Sequence, residues 1–354
     1  MPEPGAEVRS LLDAAVDEGV FSAVVLRVEH LGGQRTLLEH VAGTLSSTPP
    51  GPPAQSETPF DLASLTKLVT ATVALRMAAR GELRLDAPIS EVLPGRVPRE
   101  HPLITARHLL DHTSGLPAWA PLWREGEVLE TALTTAPVAS PGERHTYSDI
   151  GFLWLGAALE EIAGDSLDVL AHREVLAPLG MRSTRYHRLP MSGDDPRREG
   201  VAATEHCPER GFLVAEVSDR NTWHLGGVGP HAGLFGPASD LARFAQGWFS
   251  APESGYLPTS LRDEAWGPPS LPGGHVLGWD TVAPQGYTSA GRALSPDSHG
   301  HLGFSGPSLW VDPDRELAVI LLCNRIHPSR DEPRLKPLRP TLHDAVARAV
   351  DSMS

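Results

Sequence analysis

The amino-acid sequence predicts an α+β fold in which both termini contribute strands to one antiparallel sheet with flanking helices, and a mostly helical subdomain is inserted between them. Strand patterns, short apolar runs bounded by turn residues, lie near the two ends, at 21–41 and 308–322. The stretch from Leu65 to about Leu179 instead carries apolar residues at helical spacing. At 354 residues and 40% hydrophobic content, the chain can bury a substantial core as one large domain or two interleaved ones. Residues 1–80 and 270–354 are expected to form the sheet subdomain, and 81–269 the helical insertion with irregular loops.

Glu7 to Glu18 reads as an amphipathic helix, and Phe21 to Glu29 and Thr36 to Val41 as two strands of a hairpin around Gly32-Gly33. Ser46 to Pro59 holds five prolines and a glycine, a connector that delivers the chain to the next helix. There Leu65, Leu68, Val69, Thr72, Val73 and Met77 fall at helical spacing, and Gly81 is placed to end the run. Gly115, Gly142 and Gly164 break the helical middle, and 183–221 is polar, arginine-rich and expected to be irregular. After Pro237, which suits a first turn, a helix runs through Leu241, Phe244 and Trp248. Ser308 to Val311 and Leu317 to Leu322 flank a turn at Asp312-Pro313-Asp314-Arg315, and Leu342 to Val350 reads as a final helix.

The chemistry starts from lysine scarcity. Lysine occurs twice beside twenty-eight arginines, and Lys67 stands three residues after Ser64 in Ala63-Ser64-Leu65-Thr66-Lys67. Arginine does not release a proton in a protein, whereas a buried lysine can, so a lysine kept here suits a titratable amine. Residues three apart on a helix are neighbours, which brings the amine to the Ser64 hydroxyl. By itself a Ser-x-x-Lys also fits a capping serine beside a solvated lysine. Two further segments narrow the choice. Tyr147-Ser148-Asp149 precedes an apolar helical run through Leu153, Leu155, Leu159 and Ile162, and Gly300-His301-Leu302-Gly303-Phe304 precedes a strand pattern.

In this order the three segments resemble the serine hydrolases of the β-lactamase and penicillin-binding protein superfamily, closest to the class C β-lactamase-related esterase branch. Arg107 to Leu116, containing Leu-Leu-Asp-His-Thr-Ser-Gly, and Gly229 to Phe235 extend the likeness over about Phe60 to Arg330. The resemblance implies the β-lactamase/transpeptidase-like form of the predicted fold and acyl transfer through a covalent serine ester. It implies Ser64 as nucleophile, Lys67 and Tyr147 sharing proton transfer, and an oxyanion hole from the Ser64 and Phe304 N–H groups, with Phe304 following His301-Leu302-Gly303. Where antibiotic-hydrolysing relatives carry Lys-Thr-Gly, this chain has His301-Leu302-Gly303, losing a fixed cation and a hydroxyl; esters are therefore favoured, with weak β-lactamase activity allowed. His301 can donate to the tyrosine oxygen or carry charge at mildly acidic pH. Asp149 stands where many relatives have Asn and can hold Lys67 charged, shifting base duty toward Tyr147; its plain alternative is a helix cap.

Other residues carry weaker functional weight. Asp111 and His112 suit a structural turn, His231 suits a place in the pocket wall, and the glycines around it suit backbone shaping. His299 and His301 share a strand face, but no third ligand stands at metal-site spacing, so neither metal nor cofactor is expected. Net charge of −14 argues against nucleic acid. Cys207 and Cys323 form no disulfide framework, and Cys323 lies in an apolar strand. The first residues lack a secretory pattern and no apolar run spans a bilayer, so the literal expectation is a cytoplasmic protein acting on a small-molecule ester or amide. Two other functions stay open: a D-alanyl-D-alanine peptidase, opposed by the missing export signal and Lys-Thr-Gly hydroxyl, and a silent binding module, opposed by the intact Ser64, Lys67 and Tyr147.

Overall fold

The computed structural model describes residues 5–98, 103–250, 256–327 and 329–353. Helix α1 (Ala6–Asp17) leads into β1 (Ala23–His30) and β2 (Arg35–Gly43), the expected hairpin. At the other end β8 (His275–Val276), β9 (Trp279–Thr281), β10 (His299–Leu302), β11 (Ser308–Asp312) and β12 (Leu317–Cys323) follow one another. Together they make one seven-stranded sheet in the order β2-β1-β12-β11-β10-β9-β8. Its pairings are antiparallel, and β1 meets β12 with Val25 opposite Leu322. The first and last parts of the chain thus lie side by side within the sheet.

Alternation along these strands sorts two cores. Val24, Leu26, Val28, Val319 and Leu321 face α1 and the last helix, packing with Val8, Leu12, Leu342 and Val346. Ala23, Val25, Ile320 and Leu322 face the other way, into a larger core with Leu68, Leu75, Phe244, Trp248 and Trp279. Because both faces are covered, β12 is buried along its whole length and its sequence is a continuous apolar run. Within the larger core lies α2 (Thr66–Ala79), buried on nearly every side. Its threonines reach partners there: Thr70 donates to the Pro230 carbonyl at 2.8 Å, and Trp248 Nε1 donates to Thr72 Oγ1 at 3.0 Å. Gly81, in the left-handed region, follows the helix end, as its position predicts.

The middle is helical in short pieces: α3 (Ala106–Leu110), α4 (Val128–Thr134), α5 (Asp149–Ala163) and α6 (Leu167–Ala171). Gly115, Gly142 and Gly164 all adopt positive φ at the breaks. The span 183–221 is not irregular throughout. It contains β4 (Arg185–Tyr186) and a hairpin of β5 (Ala203–Cys207) and β6 (Gly211–Val214). The arginines that hide its pattern help to build it: Arg198 donates to the Val214 carbonyl and Arg210 to those of Val217 and Ser218. β4 joins β3 (Phe60–Asp61) and β7 (Leu234–Gly236) in a small sheet, after α7 (Arg220–His224) has led the chain back. Next come α8 (Ala238–Phe249) and α9 (Thr259–Ala265), and the chain ends in α10 (Leu335–Asp351). That last helix starts earlier than Leu342 because Pro337 falls within its first turn and Pro340 is accommodated inside it. No described helix is long and apolar enough to cross a membrane.

Candidate active site

Ser64 occupies a single 3-10 turn, Ala63–Leu65, that runs straight into α2. Ala63 has φ 45°, a left-handed conformation that costs an L-residue energy. One turn on, Lys67 is fully buried, and its Nζ donates to Ser64 Oγ at 3.0 Å and to the His231 carbonyl at 3.4 Å. The same nitrogen stands 2.6 Å from Asp149 Oδ1 and 4.6 Å from the centre of the Tyr147 ring. The Tyr147 hydroxyl lies beside Lys67 and Ser64, near enough for both side chains to act on its proton.

Asp149 is the first residue of α5, but the cap is Ser148, whose Oγ accepts the Gly151 N–H at 2.9 Å. The carboxylate is thereby left to the lysine. Burial opposes the Lys67 charge, yet Asp149 and Tyr147 outweigh it and hold the amine above the usual lysine value. Burial also pushes the Tyr147 hydroxyl up, and the Lys67 ammonium, opposed by Asp149, offsets that only in part. In the resting site both Lys67 and Tyr147 keep their protons.

β10 brings the third segment alongside. Gly303 is required here: a Cβ would sit 2.8 Å from the Leu62 carbonyl, so only glycine lets the strand end approach the Ser64 turn. Neither the Ser64 nor the Phe304 N–H donates to another described residue. The Phe304 side chain is half exposed between the guanidiniums of Arg325 and Arg330. His301 differs from expectation. Its Nδ1 lies 2.9 Å from the Leu302 carbonyl, which can only accept, so the proton is on Nδ1 and Nε2 has a lone pair rather than a hydrogen to donate to tyrosine. Burial and the Lys67 charge bring its pKa to about 3, so His301 carries no charge at mildly acidic pH either.

Histidines that the sequence left scattered converge on Tyr147. His112, at φ 56°, accepts the Ser148 N–H on Nδ1 at 2.9 Å, and its ring lies 4.5 Å from that of Tyr147. His275 lies 5.4 Å from the tyrosine ring, within 3.0 Å of His145 through their nitrogens. Asp111 accepts the Leu277 N–H at 2.7 Å, tying the β8–β9 turn to α3.

A cavity of about 620 Å³ opens over Ser64, lined by Asp149, Tyr147, His231, Phe304 and an aromatic wall of Trp119 and Trp123. A second cavity of about 640 Å³, near Arg76 and Tyr256, holds none of these groups. His231 lies in the wall, as expected, and pairs with Asp219 at 2.9 Å. That histidine and the Thr222 bonds outweigh burial and hold Asp219 well below the usual carboxylate range. Asp149, Asp219 and His231 are the one group of three metal-type donors among the described residues. Asp149 already faces the Lys67 ammonium, and Asp219 is paired with His231. His299 instead stacks on Trp266. Cys207 and Cys323 are both free and buried.

Sequence reasoning missed Asp61, Asp219 and the His145–His275 pair. Asp219 stands twelve residues before His231, across a turn in which Gly227 has φ 86° and no room for a Cβ against the His187 carbonyl. That Gly-rich stretch is the one local signal.

A beta-lactamase family model matches residues 8–340. The chain is 28% identical to a putative D-alanyl-D-alanine carboxypeptidase of Escherichia coli, over 80% of this chain and 73% of that protein. It is 31% identical to the esterase EstB of Burkholderia gladioli, over 96% of this chain and 95% of that protein. In fold it superposes on a mutant simvastatin synthase of Aspergillus terreus with a TM-score of 0.78 and 20% identity, covering 99% and 98% of the two chains. With the family match running over residues 8–340, and so through the Ser64 turn, the Tyr147 loop and β10 alike, the chain belongs to the beta-lactamase family.

Proposed function

We propose that the protein is a serine hydrolase that acts on small esters through an acyl-Ser64 intermediate. The observation that carries this is the buried Lys67 amine 3.0 Å from Ser64 Oγ, with the Tyr147 hydroxyl in contact with both. Ser64 Oγ attacks the ester carbonyl, its proton passes through Tyr147 and Lys67 to the departing alkoxide, and an alcohol leaves. Water then adds to the acyl carbonyl along the reverse proton path, giving the acid and restoring the Ser64 hydroxyl. The Ser64 and Phe304 N–H groups, which donate to no other described residue, receive the oxyanion; losing one such donor costs about 3 kcal/mol of transition-state stabilisation.

Esters are favoured over peptides and β-lactams by the cavity's charge balance. Asp149 faces Lys67, Arg330 pairs with Glu205 and Arg220 with Glu209, so these charges are already matched within the protein, and Asp219 is hydrogen-bonded to His231. The surface left for a substrate is largely that of Trp119, Trp123 and Phe304. A D-alanyl-D-alanine peptidase remains the second reading. It is favoured by the carboxypeptidase relative and by Arg124, a cavity-lining guanidinium with no ion pair among the described residues. Parallel kcat/KM values for p-nitrophenyl butyrate, nitrocefin and a D-alanyl-D-alanine peptide test the choice. A preference for the ester is expected; a preference for nitrocefin or the peptide would replace the esterase reading.

A further inference from the structure

Asp61 is a buried carboxylate with no cationic partner among the described residues. Burial raises its pKa to about 6, against the pull of two backbone N–H groups and with help from the nearby Glu205 and Asp219 charges. An acid buried at that cost is expected to hold something. Its three oxygen atoms reach three different walls of the site. Oδ1 accepts the Ala63 N–H at 2.9 Å, within the nucleophile turn and at the residue with φ 45°. Oδ2 accepts the Ser218 N–H at 2.9 Å, beside Asp219 in the cavity wall. Its carbonyl accepts the Ser305 hydroxyl at 2.7 Å, next to Phe304.

We propose that Asp61 is the positioning residue of this site: it holds Ala63 in its left-handed conformation and so fixes Ser64 Oγ relative to the Phe304 N–H and to the Asp219 wall. This rests on the serine reading above, because it gives the strained turn a catalytic purpose. The chemistry of the group is specific. Both N–H partners are donors, so the site needs two acceptor oxygens on one side chain. Asparagine offers one oxygen and turns an NH₂ toward the other donor, which breaks the tie to Ala63 or to Ser218 while preserving volume. A side chain that only supported the fold would affect stability and leave the chemical step intact. One that aims the nucleophile affects kcat first, because misplacing a reacting atom by about 1 Å can cost on the order of 100-fold.

The test compares wild type, Asp61→Asn and Ser305→Ala on p-nitrophenyl butyrate, with circular dichroism to establish folding and intact-mass fluorophosphonate labelling of each. For Asp61→Asn the expected result is a kcat at least ~30-fold lower with KM within ~3-fold, and Ser64 labelling slowed in parallel. Ser305→Ala, which removes only the tie to the Asp61 carbonyl, is expected to lower kcat by ~3- to 10-fold. A folded Asp61→Asn protein with wild-type kcat and labelling rate overturns the proposal. If that variant does not fold, a folded Ser305→Ala protein with wild-type kcat overturns it. Wild type that takes no label at Ser64 would instead remove the serine reading, so the two failures are distinguishable.

Discussion

Lys67 Nζ and Asp149 Oδ1 stand 2.6 Å apart, with the lysine fully buried, and this ion pair fixes the resting protonation of the site. A buried amine loses affinity for its proton; here the carboxylate reverses that loss. The same negative charge also raises Tyr147. Asp149 therefore holds both candidate bases in their protonated forms, and activity has to rise with pH as one of them is released.

Removing the charge at Asp149 lowers both values. In Asp149→Asn the rising limb of the kcat/KM profile is expected to move to lower pH by about one unit or more, since each unit is only ~1.4 kcal/mol of differential interaction. A pH series from 5 to 10 on a p-nitrophenyl ester checks this, and a limb that stays in place contradicts the role given to the pair.

Lys67→Arg keeps the cation and abolishes the titratable amine. A kcat loss of at least ~100-fold is expected, with Tyr147→Phe similarly damaging, in keeping with general acid–base contributions. Activity within a fewfold of wild type would leave Lys67 as a fixed charge with no part in proton transfer.

Trp119 is half exposed at the cavity, 5.9 Å from Trp123, whose far side is stacked on His224. A rigid aromatic wall of this kind gains from apolar substrate surface. Trp119→Ala is expected to lower kcat/KM for p-nitrophenyl octanoate by ~5- to 20-fold while changing the acetate ester by less than ~2-fold. Equal losses on both esters would remove the wall from substrate recognition.

Buried histidines set an acid limit on stability. His187, His299, His327 and His343 are lowered to about 4 and His301 to about 3, chiefly by burial, and His112 and His275 well below the usual value for the same reason. The unfolded chain binds protons on these rings from about pH 6.5 downward while the folded one does not, so stability is present above that pH and drains away as pH falls. Asp61 and Asp111, raised to about 6, and Asp280, raised to about 7, act in the opposite sense, because the folded protein protonates them first. The histidines outnumber them. Differential scanning calorimetry is expected to show Tm falling between pH 6.5 and 4; a flat or rising Tm contradicts this balance.

Much of the site was legible because its parts are local. Ser64 and Lys67 are one helical turn apart, Tyr147 and Asp149 two residues apart, and Gly303 and Phe304 adjacent. The continuous apolar run of β12 and the alternation in β1 likewise announced a central sheet. What stayed hidden depends on distant partners. His145 meets His275 across 130 residues through a strand of two residues, too short to leave a period. Asp61 resembles any acid at a strand end until Ser218, 157 residues away, is placed beside it. The β5–β6 hairpin lacked a clean pattern because arginine bonds to backbone carbonyls brace it. The donor role expected of His301 failed on a tautomer, which the Leu302 carbonyl decides.

Ser64 is the residue proposed to become acylated. Intact-mass spectrometry after incubation with a fluorophosphonate, followed by peptide mapping, on wild type and on folded Ser64→Ala reads this step. A single adduct on the peptide containing Ser64 is expected in wild type, with no adduct and no turnover of p-nitrophenyl butyrate in the variant. An adduct on another residue, or undiminished ester turnover by Ser64→Ala, would contradict this assignment.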